Sequence, residues 1–406
     1  MDEMFQLSQS QLKFLNKPYR RALLQAPELS TRLCIVLGPR GIGKTTALAQ
    51  HLVDQVGGDV LSREILYVQA DHFLIRNRHL YEIAEHFVNL GGRVVCFDEI
   101  HKYPEWSMEL KSMTDTFPEL KILASGSSAL EIYRTSHDLS RRAVQKQVWG
   151  LSFREYLELS LDVRLSTYAL EQILSEHATI SQQIVDRLAP RKVLALFNDY
   201  LRHGYYPFFF AEPNEAIFQQ ILNQNLLATL ESDLVAVHPA LTGNSIKRID
   251  RLLRVLSTSV PFIPDLKKLT ELTEIGDQRT LKTYLKLLED SGLTRSLLRA
   301  SKGLRTMEKP EKIYLNNPNL IHAFAAKVDR GTLRECFFLS MLAPLHEVLA
   351  PEKGDFLVNG THVFEIGGRK KTFDQIKETK QGYLALDDME HGFGSRIPLW
   401  LFGFLY

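Results

Sequence analysis

The chain has 406 residues, 45% hydrophobic and 24% charged, with 49 Lys and Arg against 48 Asp and Glu. That is ordinary globular composition, enough for two or three domains at ~150 residues each, and it excludes a collagen, a disordered tail protein and a disulfide-rich miniprotein. A net charge of +1 excludes a polyanionic or histone-like chain and leaves only local basic patches.

Three cysteines, Cys34, Cys96 and Cys336, lie far apart and predict free thiols in a reducing compartment. The start, MDEMFQLSQS, carries early acids and no apolar run, so no secretory signal is expected. The chain reads as cytoplasmic, with no membrane partner.

The first chemistry follows the apolar run LCIVL at 33–37, which predicts a strand. GPRGIGKT at 38–45 fits the phosphate-binding pattern G-x-x-x-x-G-K-[ST], and the helix-forming TTALAQHLVDQV comes next. Glycines let the loop turn its amides inward on phosphates, and the helix N-terminus adds partial positive charge. The expected nucleotide-binding set is Gly38, Pro39, Arg40, Gly41, Ile42, Gly43, Lys44, Thr45 and Thr46. In it Lys44 reaches the β- and γ-phosphates, Thr45 offers its hydroxyl to Mg²⁺, and Arg40 adds charge to the nucleotide or faces solvent.

EILYVQAD at 64–71 predicts a second strand, and RVVCFDEI at 93–100 a buried parallel strand ending in two acids. Asp98 is expected to hold the Mg²⁺ and Glu99 to polarise an attacking water, with His101 and Lys102 as surface residues beyond. KILASGSS at 121–128 predicts a strand between those at 33–37 and 93–100, presenting a hydroxyl near the γ-phosphate: Ser127 first, Ser125 or Ser128 as alternatives. AVQKQVWG at 143–150 is a fifth strand, and Arg141 and Arg142 before it are candidate arginine fingers, acting in their own subunit or a neighbouring one. No Asn-Lys-x-Asp element is present, which favours ATP over GTP.

These residues, together with VVCFDEIHKYPEWSMELK, ILASGSSAL, SRRA, GLSFREYL, DYLRHGYYPFF and KIYLNNPNLIHAF, resemble an AAA+ type ATPase family of bacteria and archaea. The resemblance covers nearly the whole chain. It implies a P-loop NTPase parallel α/β sheet followed by a helical lid, a winged helix and a small restriction-endonuclease-like (DUF4143-type) α/β domain. The expected borders are 1–28 for an N-terminal helical segment, 29–152 for the ATPase core, 153–240 for the lid, 241–309 for the winged helix and 310–406 for the last domain.

Leucines at helical spacing fill 153–240, and the aromatic cluster LRHGYYPFFF at 201–210 reads as core packing. Residues 247–309 hold 14 Lys and Arg against 8 Asp and Glu, so this stretch is 14 − 8 = +6. Three predicted helices end in QRTLKTYLKLLEDSG, where Leu281, Tyr284, Leu285 and Leu288 face a core and Arg279, Lys282 and Lys286 lie opposite, a recognition-helix layout for double-stranded DNA. LTRSLLRA and EKIYLNN read as wing strands, with Lys302, Arg305 and Lys309 between them as phosphate contacts; a protein partner or self-association is the other use of such a face.

Near the end, a helix from about Thr332 carries Glu335, Asp355 opens a short strand, Glu365 sits on the next, and TFDQIKETK is expected to be helical. Asp355 and Glu365, with Glu335, are a candidate second Mg²⁺ site that resembles a restriction-type nuclease core. Two positions after Glu365 stands Gly367 rather than lysine, and a Gly-Gly bulge at best re-aims Lys370 or Lys371. That departure favours an interaction domain over an active nuclease. The last apolar run, IPLWLFGFLY, is too short to span a bilayer and is expected to be a buried strand.

Overall fold

The computed structural model describes residues 1–126, 139, 141–258, 265–300, 310–324 and 328–406. Ser127 and Ser128, the six residues 259–264, and Lys302, Arg305 and Lys309 lie outside the described residues. The chain packs as two compact units. Residues 1–150 and 231–240 form the first; residues 151–230 and 241–406 form the second. This grouping differs from the five-part division: the N-terminal helix belongs with the core, and the lid, three-helix and C-terminal segments share one unit, apart from a ten-residue segment.

In the first unit, α1 (Asp2–Leu15) precedes five strands: β1 (Leu33–Leu37), β2 (Ile65–Gln69), β3 (Val94–Asp98), β4 (Lys121–Gly126) and β5 (Val144–Gln147). They form one parallel sheet in the order β2-β3-β4-β1-β5, with β4 between β1 and β3 as the sequence predicts. Continuous burial of β1 and β3 follows from helices covering both faces. One face packs Leu33, Ile35, Leu66, Val95, Phe97 and Ile122 against Met4 and Phe5 of α1, Leu80, Ile83 and Phe87 of α3 (Leu80–Asn89), and Trp106, Leu110 and Met113 of α4 (Trp106–Thr116). The helix α2 (Lys44–Gln55) lies against β2, β3 and β4. All five strands run the same way, so the carboxyl ends of β1, β3 and β4 share one edge.

The second unit begins with helices α5 (Phe153–Leu161), α6 (Leu170–Leu188), α7 (Val193–Asp199) and α8 (Glu215–Ala228). Ser152 starts α5 in a capping box: its Oγ accepts the Glu155 amide, and Glu155 accepts the Ser152 amide. The aromatic cluster is packing, as expected: His203 stacks on Phe209 at 3.7 Å and Phe208 on Phe218 at 5.0 Å. Then come α9 (Gly243–Thr258), α10 (Leu266–Thr273), α11 (Gln278–Asp290) and an antiparallel pair, β6 (Thr294–Leu297) with β7 (Lys312–Leu315).

After α12 (Pro318–Phe324) and α13 (Arg330–Leu342), a second sheet runs β12-β11-β10-β9-β8. Its strands are β8 (Val348–Leu349), β9 (Phe356–Val358), β10 (His362–Gly367), β11 (Gly382–Leu386) and β12 (Arg396–Pro398). β8, β9 and β10 are antiparallel neighbours, whereas β10, β11 and β12 are parallel. Phe338 of α13 seals this sheet against Phe356, Phe364 and Phe402 at 5.2, 4.9 and 4.8 Å.

Two local expectations are corrected. The strand in IPLWLFGFLY ends at Pro398, and Leu399–Phe404 is a 3₁₀ helix. Leu399, Trp400, Leu401 and Phe402 are all buried, and a run buried on every side carries no strand periodicity. TFDQIKETK forms turns rather than a helix, since its two apolar side chains, Phe373 and Ile376, reach their cluster from a single turn. No helix among the described residues is long and apolar enough to cross a membrane.

Candidate functional site

The phosphate loop leaves the end of β1 and enters α2. Gly41 and Gly43 take φ of 78° and 89°, values that favour glycine, and a Cβ on Gly38 would run into the Val148 carbonyl. Behind the loop, the buried Arg21 guanidinium donates to the carbonyls of Ile42, Trp149 and Gly150 at 3.0 Å each. Lys44, the first residue of α2, donates from Nζ to the Gly38 and Pro39 carbonyls at 2.8 Å each. Burial holds its pKa below the ordinary lysine value, opposed by the charges of Glu99 and Asp98.

The end of β3 lies beside this loop. Asp98 is buried, and its Oδ2 accepts the Thr45 hydroxyl at 2.8 Å and the Tyr67 hydroxyl at 2.6 Å. The Ser125 hydroxyl donates to Oδ1. Three hydroxyls from three elements therefore fix one carboxylate, and the burial and negative charge around Tyr67 push its phenol well above the usual range.

Glu99 follows with φ of 53°, a left-handed conformation unusual for a glutamate and a form of stored strain that clusters at functional sites. Its amide donates to Ser125 Oγ at 3.1 Å. Its Oε2 is buried without a hydrogen bond, 3.6 Å from Lys102 Nζ and 3.8 Å from His101 Nε2. His101 is buried, which corrects its expected surface position; Lys102 is exposed, as expected, and pairs with Asp71 at 2.5 Å. Arg40 forms a two-pronged ion pair with Asp233, Nε to Oδ2 at 2.7 Å and Nη2 to Oδ1 at 2.6 Å. Sequence reading passed over Tyr67, Arg21 and Asp233: Tyr67 lies in the strand predicted at 64–71, while Arg21 and Asp233 lie in no motif.

Arg141 and Arg142 fall elsewhere. They precede β5, whose first residue, Val144, pairs with Cys34 at the start of β1, the sheet edge away from the loop. Four residues at about 3.3 Å each separate that edge from the loop's edge. Arg142 is exposed and bonded to Asp115 at 2.7 Å. Within one chain, the parallel topology thus sets both arginines apart from the phosphate loop.

Residues 30–157 match the model of the AAA domain family. Together with the sheet order and the loop geometry, that match supports a nucleotide-binding P-loop NTPase of AAA type for the first unit. Residues 194–330 match a domain of unknown function, DUF8612, rather than the DUF4143-type region expected. An uncharacterized protein of Methanocaldococcus jannaschii, MJ1637, is 28% identical over 196 residues, 47% of this chain and 41% of that protein. The match thus spans less than half the length of this curated relative. Among solved structures, RIF2 of Saccharomyces cerevisiae aligns at 14% identity and a TM-score of 0.28, over 49% of this chain and 82% of that one. PCH-2 of C. elegans aligns at 15% identity and 0.24, over 70% and 68% of the two chains. AMPPCP-bound DnaA of Aquifex aeolicus aligns at 13% identity and 0.24, over 70% and 86%.

The second unit holds two further groups. On α11, Leu281, Tyr284, Leu285 and Leu288 are buried, while Arg279 and Lys282 are exposed. Lys286 is exposed too, but it is paired with Asp290 at 2.7 Å. Around β10, Lys312 Nζ lies 3.5 Å from Glu335 Oε2 and 3.7 Å from Asp355 Oδ1. Asp355 Oδ2 accepts the Ile366 amide at 2.8 Å, and Lys371 Nζ reaches Glu365 Oε1 at 2.5 Å. Gly367 makes that last contact possible: a Cβ there would lie 2.7 Å from the Lys371 side chain. Burial raises the pKa of Glu335 and of Glu365, and the Asp355 charge adds to both. Among the described residues no three His, Cys, Asp or Glu side chains are gathered as a metal-holding set. Asp355 and Glu365, the expected second metal pair, each have a lysine within ion-pair distance, Lys312 and Lys371.

Proposed function

We propose that the protein is an ATP-hydrolysing molecular switch whose basic helix α11 engages double-stranded DNA or a protein partner. The carrying observation is the 2.8 Å hydrogen bond between Thr45 and Asp98, which brings the phosphate loop and the acid pair into one site. Lys44 supports the reading. It is turned into the loop toward two carbonyls, where phosphate oxygens offer a buried cation better partners. Thr45 and Asp98 are the hard-oxygen donors that would hold Mg²⁺, and bound Mg²⁺ neutralises the β- and γ-phosphate charge. Glu99, held close by yet with one oxygen unbonded, orients the attacking water and takes its proton. Ser125 keeps both acids in place: its hydroxyl donates to Asp98 and accepts the Glu99 amide. Arg141 and Arg142 would act as fingers only toward a second copy.

Steady-state ATP hydrolysis by the full chain, with and without double-stranded DNA, tests this. Wild type should turn over ATP, Lys44→Ala should not, and Glu99→Gln should retain ATP while losing turnover by at least ~100-fold. Turnover that persists in Lys44→Ala rejects the site; turnover that rises with DNA selects DNA over a protein partner.

A second reading is favoured by one observation, the return of Lys371 to Glu365 across Gly367. It restores a cation beside the acid that the sequence alone left without one, and it keeps an ATP-gated nuclease in view. The carboxylates are not arranged as a metal centre, so no cleavage step is derived through one.

A further inference from the structure

Asp233 lies outside every nucleotide-binding motif, 83 residues beyond Gly150, yet residues 231–240 pack within the first unit. It is 3% exposed and ends a π-helical turn, Thr229–Asp233, a distortion frequent at functional positions. Both of its carboxylate oxygens are committed to Arg40 of the phosphate loop, and its Oδ1 lies 3.9 Å from His101 Nε2. His101 in turn lies 3.8 Å from Glu99. One chain of polar side chains thus runs from the loop arginine through Asp233 and His101 to the acid proposed to polarise water.

The orientation of Arg40 is the informative part. Asp233 takes Nε and Nη2, and Nη1 donates to nothing among the described residues. An arginine fork held on one edge by a carboxylate is planar and pre-organised, so less side-chain entropy is lost when its other edge binds an anion. ATP differs from ADP only in its terminal phosphate, and in the site proposed above that phosphate lies nearest Glu99.

We propose that Arg40 reads the terminal phosphate of ATP and that Asp233 is its positioning residue, so that the site distinguishes ATP from ADP only with residues 231–240 in place. The inference rests on the nucleotide-site reading. It assigns Asp233 no contact with the nucleotide.

Equilibrium binding of Mg-AMP-PNP and Mg-ADP to the full chain tests it. Arg40→Ala should weaken AMP-PNP about tenfold more than ADP, the loss of one charge-assisted contact. Asp233→Asn should lose most of the same discrimination, Asp233→Glu should recover part of it, and the double variant should lose no more than Arg40→Ala. A merely structural Asp233 would weaken both nucleotides alike, and a carboxylate that competes with phosphate for Arg40 would make Asp233→Asn bind AMP-PNP more tightly; either result overturns the proposal. Should Asp233→Asn fail to fold, Arg40→Lys keeps the charge without the fork and should lose the discrimination, and unchanged discrimination overturns the proposal. Wild type that binds neither nucleotide defeats the nucleotide site itself, whereas binding without a difference among the variants defeats this inference alone.

Discussion

At the scale of the residue, Asp98 is the best-determined group in the protein. Thr45 and Tyr67 both donate to Oδ2, at 2.8 and 2.6 Å, and Ser125 donates to Oδ1. A buried carboxylate without such donors would pay heavily for desolvation, and a carboxylate free to rotate would hold Mg²⁺ poorly. Tyr67 is the donor whose removal is most informative, because its ring is buried on β2 and the phenylalanine variant keeps the packing. A hydrogen bond to a charged group contributes about 1.5 kcal/mol, roughly tenfold. Tyr67→Phe should therefore raise the Mg²⁺ concentration needed for half-maximal ATP hydrolysis by about that factor and lower stability by about 1.5 kcal/mol. An unchanged Mg²⁺ requirement would limit the Tyr67 hydroxyl to satisfying a buried acid.

At the scale of the element, α11 separates its two faces as periodicity dictates. Asp277 caps it by accepting the amides of Arg279 and Thr280, at 2.8 and 2.9 Å, which fixes where the helix begins and hence which side chains face out. Leu281, Tyr284, Leu285 and Leu288 turn inward, with Leu287 widening the buried stripe, and Arg279 and Lys282 are left exposed. Lys286 is neutralised by Asp290 one turn on, so it contributes less to an anionic partner than the sequence suggests. If α11 lies along DNA, each phosphate contact adds about 0.9 to the slope of log affinity against log salt. Changing Arg279 and Lys282 together to alanine should flatten that slope by up to about 1.8 and weaken binding across all sequences. Binding with an unchanged slope would remove α11 from the interface.

The same contrast explains what was legible. Strands β1 to β5, and the place of β4 between β1 and β3, follow from the strand-like runs and the logic of a phosphate-loop sheet, and the two motifs locate the loop and the acid pair. Asp233 was not legible because its partner lies 193 positions away and an isolated acid has no period. His101 was misjudged because a polar residue after an acid pair usually marks the surface. The 3₁₀ helix Leu399–Phe404 and the turns at 372–380 show the converse limit: where burial is complete or only two side chains need burying, periodicity does not choose a conformation.

At the scale of the whole molecule, the two charged clusters belong to different units, and they have opposite designs. In the first unit Asp98 is held by three hydroxyls, and Lys44 turns toward the loop carbonyls. In the second, three acids are matched directly by two lysines: Glu335 and Asp355 by Lys312, and Glu365 by Lys371. Glu365 is 1% exposed, so its partner lysine either stabilises the fold or serves chemistry there. The two uses separate experimentally. Glu365 is buried but Lys371 is partly exposed, so Lys371→Ala leaves one buried acid without its partner and should lower stability in denaturant by about 1–3 kcal/mol. ATP turnover, which the proposed function places in the first unit, should remain at the wild-type level below the unfolding transition. If the second reading holds, the wild-type chain nicks double-stranded DNA with Mg²⁺ and ATP, and both Lys371→Ala and Glu365→Gln abolish nicking without changing ATP turnover. If wild type leaves the DNA intact while Lys371→Ala loses only stability, the cluster is a structural pair. The return of Lys371 across Gly367 then repairs a buried charge and forms no second active site.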